Sequence, residues 1–326
     1  MPNLRVISIK PTYSGVPLPV LRAILGTVQL REFYVDGKLS PGMIGLEDET
    51  DSDERDSDED EVSNQLTSLQ DLQVCSLTHF RYRPPGYANE GRISSVDTRL
   101  LTAIVTQTRR TIENLFVPSV AASIIATSPS EWVWPRLHTL SLRGARTHST
   151  SDSEESLLSV PGRLPALVIL KFELAQPSEW PRQAIGPSDG PVTLTCPCPN
   201  LKILSVSYPH PEDKLYALLP VQLQKLALKC WPRHYTHIVR EERQYMAAQG
   251  WWSPVLTSSE MLRILEQCYL PQLRELDVEF VADREDPALL RHIARSFPHL
   301  RYLHLHRYRD RSGATATDVP VVSSLA

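Results

Sequence analysis

Along this chain a short apolar and polar phrase recurs: Leu (once Ile), two residues, an apolar residue, one residue, another apolar residue. Ten segments carry it, beginning at Leu4, Leu30, Leu77, Ile112, Leu137, Leu167, Leu201, Leu223, Leu273 and Leu300. Apolar residues two apart predict a half-buried β-strand, because successive side chains on a strand point to opposite faces. With 41% hydrophobic residues, the bare phrase matches ~7% of windows by chance, so its flanks carry the weight. Six copies have Pro two residues before the leading Leu: Pro2, Pro135, Pro165, Pro199, Pro271 and Pro298. Proline fixes φ and has no N–H, which suits the approach to a strand.

Between the strands the period changes to that of amphipathic helices. Ser94 and Asp97 predict a capped start, after which Val96, Leu100, Leu101, Ile104 and Val105 share one face. Thr257 and Glu260 open a second helix carrying Met261, Leu262, Leu265 and Cys268. Asp286 and Pro287 read as N-cap and first helical residue of a third, with Leu290, Ile293, Ala294 and Phe297 at helical spacing. His234–Gln249 also reads as helical, flanked by Trp231, Trp251 and Trp252, whose large area suits packing that seats an insertion, the alternative being a protein-binding anchor.

Strand phrases alternating with helices define a repeat protein, and this phrase is the strand of a leucine-rich repeat. The expected fold is α/β: an irregular leucine-rich-repeat solenoid, with a parallel β-sheet on the inner face and helices and loops outside. The mean spacing of the leading residues is about 33. The Asn or Cys that such repeats place at the ninth position is missing from all ten copies; Thr12, Lys38, Pro85 and Trp231 stand there instead. The turns after the strands must therefore be built by other means. The segment from Leu69 also fits the phrase, so the register near Leu77 is open.

The expected organisation is divergent repeats over 1–46, an acidic disordered insertion over 47–62, one array over 63–310 with a helical insertion at 231–270, and a disordered tail over 311–326. The run from Glu47 to Glu61 holds eleven acids and one Arg, so the other residues sum to +6 within a net charge of −4. Such a run cannot bury apolar surface and repels itself, which favours a solvated linker. Thr50 and Ser57 each have an acid three residues on, the pattern acid-directed kinases use, and are candidate phosphorylation sites. Segments 147–156 and Gln176–Asn200 read as loops.

No apolar run approaches the ~18 residues of a membrane helix, and the first residues lack the layout of a signal peptide. The five cysteines are scattered, which fits a reducing compartment, cytosol or nucleus. Cys196 and Cys198 are the nearest approach to a metal motif, but no second Cys or His pair at ligand spacing completes them, and His210 alone does not. His234 and His237 lack a completing carboxylate or thiol. Gly-rich phosphate loops, nucleophile elbows and HExxH motifs are absent, so the expectation is a non-enzymatic protein with no metal and no cofactor.

If the phrase's second and third apolar residues face the core, its third, fifth and seventh residues face outward. The later repeats then display Lys225, Ala227 and Lys229; Glu275, Asp277 and Glu279; Tyr302, His304 and His306. His79, Arg81 and Arg83 do so earlier in the chain. Three acids on one strand face suit either balancing Lys and His neighbours or a basic segment of a protein partner. The basic, aromatic end RYLHLHRYRDR can suit nucleic acid, but about +6 over the array argues against a general nucleic-acid binder.

Together the phrases WPRLHTLSLRG (134–144), CPNLKILSV (198–206), LPVQLQKLALKCWPRHY (219–235), MLRILEQC with LPQLRELDVEF (261–280) and FPHLRYLHLHRYR (297–309) resemble the leucine-rich-repeat region of F-box proteins of mushroom-forming fungi. The resemblance implies a substrate-recognition arm of a Skp–cullin–F-box ubiquitin ligase, with a Skp-type adaptor as partner where an F-box lies upstream. Leu18-Pro19 with Leu21, Ile24 and Leu25 mimics an F-box opening, but a repeat helix explains the same spacing. The alternative is a leucine-rich-repeat scaffold with no ubiquitin role, nuclear and binding basic proteins through the acidic run.

Overall fold

The computed structural model describes residues 3–12, 15–39, 76–84, 93–126, 128–129, 132–145, 163–177, 198–231, 251–252 and 255–309. The expectations for the acidic run with Thr50 and Ser57, for Cys196, for the 234–249 helix and for the C-terminal tail fall outside them. The chain forms two compact units, Met1–Thr147 and His148–Ala326, described in turn.

The first unit runs β1 (Val6–Thr12), α1 (Leu18–Leu25), β2 (Glu32–Gly37), β3 (His79–Arg83), α2 (Ser95–Thr108), β4 (Asn114–Pro118), α3 (Ala121–Ala126) and β5 (Thr139–Ala145). Each strand pairs in parallel with the next, and equal phrase positions face each other: Phe33 opposite Phe80, Phe80 opposite Leu115, Leu115 opposite Leu140. This settles the register at Leu77. α1 connects two adjacent parallel strands, the place of a repeat helix.

The second unit runs β6 (Ile169–Pro177), β7 (Ile203–Ser207), a 3-10 turn at Lys214–Leu218, β8 (Lys225–Lys229), β9 (Trp251–Trp252), β10 (Leu256–Thr257), α4 (Ser258–Glu266), β11 (Glu275–Val281), α5 (Asp286–Ser296) and β12 (Tyr302–Tyr308). The parallel order is β6-β7-β8-β11-β12, again in phrase register: Leu170, Leu204, Leu226, Leu276 and Leu303 lie in one row. β10 pairs with Phe280–Val281 of β11, and β9 pairs antiparallel with Gln176 and Pro177. β6 thus extends two residues into the stretch expected to be a loop.

One backbone device fixes this register. In eight phrases the carbonyl of the second residue accepts from two successive N–H groups of the next phrase. Arg5 accepts from Arg31 and Glu32, Arg31 from Thr78 and His79, Thr78 from Glu113 and Asn114, and Glu113 from His138 and Thr139. In the second unit Val168, Lys202, Gln224 and Arg274 accept in the same way, the last from Arg301 and Tyr302.

The prolines act one step earlier than a strand start. The N–H of the leading Leu donates to the carbonyl three residues back, closing a tight turn with Pro as its second residue: Trp134 to Leu137, Leu164 to Leu167, Cys198 to Leu201, Leu270 to Leu273, Phe297 to Leu300. Proline's fixed φ suits that position, whose N–H the turn does not use. The turn's first residue is buried in every case, so the working phrase is apolar-Pro-x-Leu-x-x-Leu-x-Leu. Cys198 is accordingly a core residue.

The phrase's first, fourth and sixth residues make the core. Leu77, Phe80 and Tyr82, or Leu273, Leu276 and Val278, are almost fully buried, and the Phe33 and Phe80 rings stack at 5.8 Å. Each such side chain stabilises by ~1.5–3 kcal/mol when withdrawn from water. In the outermost phrases the equivalents Leu4, Ile7 and Ile9, and Leu300, Leu303 and Leu305, are only half-buried. The helices add Leu100, Leu101, Ile104 and Val105; Met261, Ile264 and Leu265; Leu289, Leu290 and Ile293. Val96 and Leu262 are half-buried, and Ala294 is exposed.

Two helix starts form as expected. The Ser94 hydroxyl accepts from the Asp97 N–H, and Thr257 with Glu260 makes a full capping box. The third differs: Asp286 is the first helical residue and Glu285 the N-cap. The buried Asp286 carboxylate accepts instead from Ser258 Oγ at 2.9 Å and Arg307 Nε at 2.7 Å, joining α4, α5 and β12. Water and salt screen this pair less than a surface pair, and the two donors offset the cost of taking the carboxylate out of water.

In three phrases the residue just before the missing Asn or Cys takes an unusual backbone conformation. Gly37, Gly144 and Tyr208 all occupy their phrase's eighth position, and all have positive φ: 143°, 123° and 50°. A bulky residue in the left-handed region needs compensation. The Tyr208 N–H donates to the Lys229 carbonyl and its hydroxyl to the Trp231 carbonyl at 2.8 Å, while Trp231 is itself buried.

Candidate protein-binding surface

The residues expected to face outward from the second unit lie on β8, β11 and β12, side by side in one parallel sheet. Lys225, Glu275 and Tyr302 form one row across it, Ala227, Asp277 and His304 the next, and Glu279 and His306 a third. Tyr302 and His304 are exposed; Lys225, Lys229, Glu275, Asp277 and His306 are half-buried.

Two of these residues are not displayed. Ala227 is 3% exposed, its small side chain covered by the flanking strands. Glu279 is 2% exposed. One of its oxygens accepts from the Cys230 N–H at 2.9 Å and the other from the Tyr308 hydroxyl at 2.8 Å. The alternation puts position seven on the outer face, but β8 ends there. The Glu279 carboxylate turns back to satisfy the N–H that begins the turn after β8.

The expected row of three acids is thereby reduced. Glu275 accepts from Lys225 Nζ at 2.6 Å, and Glu279 is buried. Asp277, half-buried, lies between Ala227 and His304. The balance comes from neighbouring repeats, so this part of the face is polar and aromatic rather than acidic.

In the first unit the corresponding residues also find partners. Arg81 lies 3.7 Å from Asp36. The His79 ring sits between Thr78 Oγ1 at 3.0 Å and Asn114 Nδ2 at 2.7 Å, and Arg83 is half-buried. The Tyr34 hydroxyl donates to Glu32 at 2.6 Å; that bond, with burial and the nearby negative charge, pushes its pKa up to about 12.

Cys198, Cys230 and Cys268 are buried thiols, and burial pushes the Cys268 thiol up to about 12. A thiol so far from ionising is a poor nucleophile and metal ligand at neutral pH. Among the described residues no group of three or more His, Cys, Asp or Glu could hold a metal ion, and no helix is long and apolar enough to cross a membrane.

No known protein-family model matches the chain, and no curated protein matches it. Among solved structures it aligns with the leucine-rich repeat-containing protein LegL7 from Legionella pneumophila. Sequence identity is 12%, the alignment covers 98% of this chain and 96% of that one, and the TM-score is 0.33. A score that low carries no argument. What defines the fold as an α/β leucine-rich-repeat arrangement is internal to the chain: parallel strands, one phrase per strand, equal positions in register, and helices between strands.

Proposed function

We propose that this chain is a non-enzymatic protein-binding module that engages its partner through the outward positions of β8, β11 and β12. The supporting observation is the register itself, which sets Lys225, Glu275 and Tyr302, then Asp277 and His304, in ordered rows on one sheet. Tyr302, 59% exposed, is the aromatic side chain that such a surface would use as an anchor. We further propose, from the fungal F-box resemblance, that the module is the substrate-recognition arm of a Skp–cullin-type ubiquitin ligase.

The test is affinity capture from the source organism with the full-length gene product. A Skp-type adaptor should co-purify, and its absence would remove the ligase coupling. Tyr302→Ala and Asp277→Ala should change the other captured proteins while leaving the adaptor and the melting temperature unaltered. An unchanged set would remove the sheet face as the binding surface.

A further inference from the structure

The N-terminal edge of the second unit's sheet has a composition the expected partner surface does not use. Five segments lead into its parallel strands, the last including the end of α5: 163–168, 198–202, 219–224, 269–274 and 295–301. They hold Arg163, Lys202, Arg274, Arg295 and Arg301, and no Asp or Glu. Residues 148–326 hold 20 acids and 19 Lys and Arg, so the composition of this unit does not supply such an edge. Ordinary solvated surfaces mix the two signs.

Three of these cations are held in line. Lys202, Gln224, Arg274 and Arg301 are the second residues of their phrases, and the shared-carbonyl device links each directly to the next. Adjacent strands lie about 4.8 Å apart, so the row runs roughly 14 Å. Lys202, Arg274 and Arg301 are exposed, and among the described residues their side chains make no ion pair or hydrogen bond. The nearest acid along the chain, Glu275, is already held by Lys225 at 2.6 Å. Arg295 has a separate explanation: it lies in the last turn of α5, where a cation offsets the helix dipole. Lys202, Arg274 and Arg301 stand at strand starts, where that explanation does not reach. The corresponding row of the first unit, Arg5, Arg31, Thr78, Glu113 and His138, includes an acid, and Arg31 is engaged with the Ser76 carbonyl.

We infer that this row docks an extended acidic segment of a partner protein, lying across the strand starts of β7, β8, β11 and β12. The charge is complementary, and about four to five extended residues span the row. The amides of Gln222, Gln224 and Gln272 intersperse the cations and can bond a peptide backbone. Exposed Tyr269 and Tyr302 flank the row and offer apolar contact beside the charge. A nucleic acid fits less well. It gains affinity from many phosphate contacts, and a chain of net charge −4 has no overall positive field to hold it. The inference rests on the proposed binding role and adds the chemistry of the partner.

The experiment measures fluorescence anisotropy of a labelled Glu-Asp repeat peptide with the full chain, against a Gln-Asn peptide of equal length and a single-stranded oligonucleotide. The acidic peptide should bind, more weakly as salt rises, and the neutral peptide should not. Arg274→Ser with Arg301→Ser should weaken binding about tenfold without altering the melting curve. Absence of acidic-peptide binding, or equal binding by the double variant, overturns the proposal. So does an oligonucleotide that binds more tightly and is weakened by the same substitutions. Asp277→Ala, scored by captured proteins, reports on the sheet face separately. The binding role can therefore survive the loss of this inference.

Discussion

Glu279 shows how one side chain can be placed by its partners rather than by its position in the phrase. Water would hydrate a carboxylate at an outward position, yet this one is buried because two donors converge on it. Removing it should leave the Cys230 N–H and the Tyr308 hydroxyl without their acceptor, at ~1–3 kcal/mol for each donor left buried. Glu279→Ala is therefore expected to cost about 2–4 kcal/mol in urea unfolding, and Tyr308→Phe about 1 kcal/mol. Glu279→Gln retains an acceptor and should fall between them. Because the residues share one network, the double variant Glu279→Ala with Tyr308→Phe should cost less than the two singles together. Additive losses would mean that the bonds act independently.

At the scale of elements, much was legible because the core obeys simple periods. Leu276 and Val278 are buried two apart on a strand, and Leu290 and Ile293 three apart on a helix, as alternation and helical spacing require. Two features were not legible, for physical reasons. The burial of Glu279 depends on where β8 stops, and strand ends leave little mark on a period of two. Asp286 reads as an N-cap from its neighbour Pro287, but its carboxylate is claimed by Ser258 and Arg307, residues remote in sequence. The prolines were visible while their role was not: only the hydrogen bond from the leading Leu shows the turn they belong to. That role has a consequence at Pro298, an exposed residue. Pro298→Ala should keep the turn, since Ala also accepts that conformation, and lose only the restriction of the unfolded chain, about 0.4–1 kcal/mol. A loss above about 2 kcal/mol would show instead that the ring packs against a neighbour.

At the scale of the whole molecule, stability is a matter of neighbours. A single strand with three buried residues does not fold alone, and each repeat is held by the one before and the one after. Leu276 tests this in the second unit. It is fully buried, with Leu226 on one side and Leu303 on the other in the same row. Leu276→Asp removes a large apolar group and places a carboxylate among leucines. The lost side chain alone is worth about 2–5 kcal/mol, and the uncompensated charge adds to it. The damage should spread along the row. Hydrogen exchange should rise in β8 and β12 as well as β11, because the carbonyls of Gln224 and Arg274 tie the three strands together. Leu276→Ala should give the same pattern in weaker form while remaining folded. Exchange that rises in β11 alone would mean that the strands are stabilised separately, and an unchanged melting curve for Leu276→Asp would show that this side chain is not in the core.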